Sequence, residues 1–215
     1  IISTGNIGHM FQSHLYNYLA DISYFHFGGI TPISIRFPSI IFGALTIFII
    51  YIISIEIFNE RRSALISSFL FSISGYALQQ NTEMDMVAFF FSLFAIYFFI
   101  KALKKNYYYL LFTSLFLAIS IQIKTIIIFF IPALLIIFLI KIIKRKEFLY
   151  NGIKINKKVF KVIILCSFLF ILVISPVFIY NYLTYKESGL TDFYLSSLGL
   201  GNNQYENLEN KPWSL

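Results

Sequence analysis

The feature that most constrains this chain is the gathering of its apolar residues into long blocks separated by short polar breaks. The blocks cover residues 38–58, 63–80, 86–100, 107–123, 125–140 and 162–182. With a few flanking residues each approaches the about 20 residues that a helix needs to cross a hydrocarbon core about 30 Å thick. Composition agrees. The chain is 58% hydrophobic and 13% charged, against roughly 45–50% and 25% for soluble domains, and its mean hydropathy is +0.77. The expected fold is an all-α polytopic membrane protein of about six transmembrane helices. It divides into an outer loop with an interfacial helix over 1–37, a transmembrane bundle over 38–182 and a second outer loop over 183–215.

The net charge of +7 would suit nucleic acid, but the positions of the charges exclude that partner. Thirteen of the 17 Lys and Arg residues, from Arg61 and Arg62 through Lys161, fall in alternate breaks and so on one side of the membrane. This is the positive-inside pattern, and it makes that side cytoplasmic. The basic stretch 141–161 also suits anionic headgroups. Seven of the ten acids lie on the other side. One cysteine, Cys166, permits no disulfide within the chain. The chain opens on Ile1-Ile2-Ser3 and stops at Pro212-Trp213-Ser214-Leu215, which reads as a segment of a longer protein.

Before the first block, Phe11, Leu15, Tyr18, Leu19, Ile22 and Phe25 recur at helical spacing and form one face, with Gln12, Asn17 and Asp21 turned away. Such a helix suits the membrane interface. Gly28-Gly29 is expected to end it and Pro32 to prevent its resumption. Pro132 and Pro176 are expected as tolerated kinks in membrane helices.

The break Asn81-Thr82-Glu83-Met84-Asp85-Met86 carries two acids between two apolar blocks. Carboxylates near membrane depth are costly, at least about 2.5–3.5 kcal/mol at the bilayer centre, and often functional. Alternation of the blocks puts Glu83, Asp85 and Lys124 on one face with the first 37 residues. Solvation of a helix end accounts for Glu83 equally well, and snorkelling accounts for Lys124 and Arg36.

Several segments, in order, resemble glycosyltransferase family 39, the dolichyl-phosphate-mannose–protein mannosyltransferase-like membrane enzymes of the C-type fold, which include the transferases that put aminoarabinose on lipid A. His14-Leu15-Tyr16-Asn17-Tyr18-Leu19 is similar to the family's Pro-Pro-Leu-Tyr-Tyr-Trp, and Arg36-Phe37-Pro38-Ser39 to its Arg-Leu-Pro-Ser. The stretch from Phe58 to Leu65 resembles its Phe-Gly-Arg-Arg-Ala-Gly-Leu turn, and Asn81 to Asp85 stands where it has Arg-x-Asp. Ile121-Gln122-Ile123-Lys124-Thr125 resembles Leu-Leu-Thr-Lys-Gly, the stretch from Ser175 to Tyr182 resembles Leu-Pro-Trp-Tyr-Ile-Tyr-Asn-Tyr, and Lys211-Pro212-Trp213-Ser214 resembles a late outer-loop Pro-Trp.

The resemblance implies inverting transfer of a sugar from a polyprenyl- or dolichyl-phosphate donor to a protein, lipid or glycan acceptor outside the cytoplasm. Asp85, with Glu83, is the implied catalytic carboxylate, taking a proton from the acceptor and steadying a cationic sugar centre. Lys124 and Arg36 are the implied phosphate contacts, with His14, Tyr16 and Asn81 as further substrate contacts. The family's Asp-Glu pair would precede Ile1, so this segment alone is expected to be inactive. Phe11 and Gln12 stand where the family has Glu-Lys, which leaves His9 and His14 as the candidate ligands should a divalent metal ion be used. Two other classes stay open: a transporter or lipid flippase with Asp85 and Lys124 on a polar pathway, and a non-catalytic relative that binds lipid-linked sugar. Charges gathered at the outer ends, without broken mid-membrane helices, favour the enzyme.

Overall fold

A computed structural model describes residues 14–29, 31–74, 85–144 and 157–188. Among these the protein is all-helical. α1 spans His14–Phe27, α2 Pro32–Phe58, α3 Arg61–Ser72, α4 Asp85–Lys104, α5 Tyr109–Ile123, α6 Phe130–Lys144 and α7 Lys157–Ser188, with a 3-10 turn at Thr125–Phe129 between α5 and α6. By length and composition α2, α4 and the Val159–Ile179 part of α7 can each cross a membrane, while Tyr109–Ile123 and Ile127–Lys141 are shorter apolar helices. Each expected block thus gives a helix. Of the second, only 63–74 is described, with its helical part in α3.

One local expectation is overturned. Pro32 does not block a helix; it begins one. It occupies the first turn of α2, where the missing N–H would have had no intrahelical partner. Thr31 caps that turn in a reciprocal box, its Oγ1 accepting from Ser34 N at 3.1 Å while Thr31 N donates to Ser34 Oγ at 2.8 Å. α1 does end where expected. Gly28 and Gly29 take φ of +71° and +154°, which a Cβ would disfavour, and Gly29 N donates to Tyr24 O at 3.0 Å. Asn59, left-handed at φ 54°, turns the chain from α2 towards α3.

The helices pack through small residues. α4 buries Ala88, Ser92, Ala95, Phe99 and Ala102, and α5 buries Ser114, Leu117, Ala118 and Ile121, each at three- and four-residue steps. α2 presents Ser39, Gly43, Thr46, Ile49 and Ile53 in the same way. In lipid, where apolar surface alone does not drive association, small side chains let backbones approach and gain van der Waals contact. Several buried hydroxyls bond back to their own helices, as Thr46 Oγ1 does to Phe42 O at 2.7 Å. Around this seam Phe91 and Phe98 stack on Phe116, Phe98 nearly parallel to it at 5.5 Å, while Phe94 meets Phe116 edge-on.

Direction follows from the contacts. Lys104 Nζ donates to Glu56 O, which brings the ends of α2 and α4 together. Ser114 Oγ donates to Cys166 O at 2.7 Å and Gln122 Nε2 to Val173 O, so α5 and α7 run the same way. Lys101, Lys104, Lys105, Arg61, Arg62 and Lys141 therefore share one end of the bundle. Asp85 and Lys124 share the other.

α1 packs against α2 and α5. It buries Tyr16, Ala20 and Ser23 and leaves Tyr18, Ile22 and Phe25 exposed. The exposed three belong to the apolar face expected to lie at the membrane interface.

Candidate active site

Asp85 is the first residue of α4, and Lys124 is the residue that follows α5. Because these neighbours are antiparallel, the start of one meets the end of the other. Lys124 has extended backbone, φ −143° and ψ 109°. Its N–H donates to Ser120 O at 2.9 Å and closes α5, while its carbonyl accepts from Ile127 N at 3.2 Å and opens the 3-10 turn. Held on both sides, it extends its side chain to α4. There Nζ lies 2.5 Å from Asp85 Oδ1 and 2.6 Å from Oδ2.

This is the one ion pair among the described residues. The peptide dipoles favour it on both sides, since an anion is stabilised at the start of a helix and a cation at its end. The side chains are 34% exposed for Lys124 and 19% for Asp85, so the pair is sheltered but reachable. A partly exposed pair is worth no more than about 1 kcal/mol to stability, which is a weak structural reason to keep two charges here.

The residues one turn away fix the pair's register. Ser120 Oγ donates to Ala88 O at 2.6 Å, tying α5 to α4 directly beneath the charges. Gln122, two residues before Lys124, ties α5 to α7 through Val173 O. Val87, Ala88, Ile121 and Ile123 form the core cluster under the site, and Tyr16 belongs to it.

Tyr16 is buried at 6% exposure. Its hydroxyl donates to Ile35 O at 3.1 Å and lies 3.1 Å from Ser39 Oγ. Burial pushes its phenol above the ordinary value, with the Ser39 hydrogen bond acting the other way. It therefore joins α1 to α2 beside the site as a neutral donor.

Of the residues singled out in the sequence, the structure brings Asp85 and Lys124 into contact and sets Tyr16 in the core below them. Arg36 is an exposed residue of the second turn of α2 and makes no ion pair among the described residues. Glu83, Asn81 and His9 lie outside the described residues, as does the side chain of His14, whose backbone begins α1. Among the described residues no three His, Cys, Asp or Glu side chains gather into a metal-binding group. Sequence reasoning assigned no role to Ser120 or Gln122. A lone amide in an apolar block was the available signal, because a polar group at that depth needs a partner.

A sequence model of the family described as dolichyl-phosphate-mannose-protein mannosyltransferase matches residues 12–180. That stretch holds both members of the pair and Tyr16. No curated protein and no solved structure matches the chain.

Proposed function

The chain belongs to the dolichyl-phosphate-mannose-protein mannosyltransferase family, a family of membrane glycosyltransferases, and from that premise we propose that Asp85 and Lys124 are the acid and the cation of its transfer site. The observation that carries the reading is their direct contact at the meeting of two helix ends, within the matched stretch. The donor is a sugar carried on a polyprenyl or dolichyl phosphate. It approaches from the membrane at the bundle end away from the basic residues, the extracytoplasmic face in the positive-inside sense.

Lysine offers three N–H donors and no acceptor. Two face the Asp85 oxygens, and the third is available to a phosphate oxygen of the donor. The Asp85 carboxylate keeps acceptor positions for the hydroxyl of an incoming acceptor. As the acceptor oxygen attacks the anomeric carbon, its proton passes to Asp85. The bond between that carbon and the phosphate oxygen breaks, and the lipid phosphate leaves with its charge against Lys124. General-base assistance of this kind contributes about 10²–10⁴-fold to rate. Tyr16, Ser120 and Gln122 hold the helices that carry the pair and are positioning residues. Arg36, exposed near the start of α2, is a second cation for the lipid phosphate.

The test is Asp85→Asn in the whole protein, assayed with a polyprenyl-phosphate sugar in vesicles. The carboxamide keeps the shape and removes the base, so turnover should fall by about 10²-fold or more with expression unchanged. Parental turnover would end the assignment.

A further inference from the structure

Below the site and towards the basic end, α6 does not close on α5 and α7, which are tied to each other by Ser114 Oγ and Cys166 O. The three helices leave a cavity of about 430 Å³ whose walls include Leu117, Leu134, Phe138, Ile163 and Phe170. On α5 the lining runs from Leu110 to Leu117 and on α6 from Ile131 to Phe138. The seven rises across each eight-residue stretch make each wall about 10 Å long, a third of the hydrocarbon core. Of the four polar side chains in the wall, Thr113, Ser114, Cys166 and Ser167, two already have partners. Thr113 Oγ1 donates to Tyr109 O at 3.2 Å and Ser114 Oγ to Cys166 O at 2.7 Å. A cavity lined mainly by apolar side chains between membrane helices takes hydrocarbon.

The charges around it say which hydrocarbon. Phe138, with Phe99 and Val159, forms the apolar cluster at the basic end of the groove. Lys141 follows Phe138 by three residues, which continues the lining face of α6 by one turn. Lys105 and Lys161 are exposed at the same end of the bundle. Neither they nor Lys141 forms an ion pair among the described residues.

We propose that the groove holds one acyl chain of an anionic phospholipid drawn from the leaflet at the basic end, with its headgroup against Lys141. The chain replaces the contacts that α6 lacks along this wall. The headgroup supplies the anion that the surrounding lysines want for. This lipid is distinct from the sugar donor, whose phosphate is assigned to the opposite end of the bundle, and the inference does not rest on the transferase reading.

The experiment is retention of lipid by the whole protein. The protein is extracted from vesicles containing equal amounts of phosphatidylglycerol, phosphatidylcholine and a polyprenyl phosphate, and the retained lipid is measured by mass spectrometry. Phosphatidylglycerol should be retained in preference to both others. Lys141→Gln should lower its retention about fivefold, the worth of one lysine near an anionic surface, and Leu134→Trp, which fills the groove, should lower it further. Equal retention of phosphatidylcholine, or retention of polyprenyl phosphate in its place, overturns the proposal. So does a lipid-free dimer on gel filtration, which would give the groove to a second copy. Should Leu134→Trp fail to fold, Lys141→Gln decides alone: retention equal to the parent's overturns the proposal.

Discussion

The two ends of the α4–α5 hairpin use lysine in opposite ways. At one end Lys124 lies on both oxygens of Asp85. At the other, Lys101 sits 4.5 Å over the Tyr97 ring and 5.8 Å from that of Tyr109, Lys104 donates to the Glu56 carbonyl, and Lys105 is exposed. The lysines of the basic end find rings, carbonyls and solvent, partners suited to an anchor at the membrane surface. Among the described residues, only the opposite end gives its lysine a carboxylate. On the proposed reading, the difference separates charges that orient a helix hairpin from charges that act on a substrate.

The largest effect expected from breaking this contrast is on turnover. Exchanging the pair, Asp85→Lys with Lys124→Asp, keeps one anion and one cation in contact but moves the base to α5 and sets both charges against the helix dipoles. Transfer should fall by about 10²–10⁴-fold, while Lys105→Gln at the other end should leave it unchanged. Full activity in the exchanged protein would make the pair a structural link only. Next is Lys124→Ala, which removes a charged donor and should raise the KM for donor roughly tenfold or more with a smaller change in kcat. Lys101→Ala should leave that KM where it was. An unaltered KM in the Lys124 variant would return that lysine to the class of its counterparts at the basic end.

A smaller effect is expected one turn beneath the charges. Ser120→Ala removes the bond to Ala88 O at 2.6 Å, at a cost of about 1 kcal/mol in unfolding free energy. If the bond sets the distance across the pair, its effect on kcat should shrink once Asp85 is already Asn, because residues in one network do not add. Additive losses in the double variant would show that Ser120 supports only the helix contact.

How much of this could be read from the sequence depends on the range of the interaction. The blocks, their breaks at Gly28-Gly29 and Asn59, and the shared end of Asp85 and Lys124 follow from hydropathy and turn chemistry, which act over a few residues. The contact itself does not, since Asp85 and Lys124 are 39 positions apart and meet only because Ala88 and Ser120 let the helices approach. Pro32 reads as a stop from sequence because a proline does so unless the residues beside it form a cap. Thr31 and Ser34 supply one. Tyr16 stands in the sequence as a substrate contact, and the structure adds that its hydroxyl is committed to α2.

That commitment has a counterpart on the far side of the site. α2 and α7 each carry an internal proline, Pro38 and Pro176, and each proline withholds a hydrogen bond from the carbonyl four residues earlier. In both helices the carbonyl three residues before the proline accepts from a side chain of another helix. Ile35 O takes the Tyr16 hydroxyl, and Val173 O takes the Gln122 amide. In α7 the orphaned Leu172 O is met by Ser175 Oγ at 2.8 Å, the kind of local repair that makes proline tolerable in membrane helices. The two donors differ in one respect, because only the phenol can be titrated. Tyr16 has its value raised above the ordinary 10.0 by burial, so the folded state favours the protonated form. Its contribution is complete below about pH 10, the value in the unfolded chain, and is lost as pH rises through the higher folded value. Tyr16→Phe should cost about 1 kcal/mol at neutral pH and remove this part of the alkaline loss of stability, whereas Gln122→Leu should lower stability by the same amount at every pH. Unfolding followed in detergent on both sides of pH 10 distinguishes them, and parallel curves for the two variants would deny Tyr16 the role of a buried neutral donor.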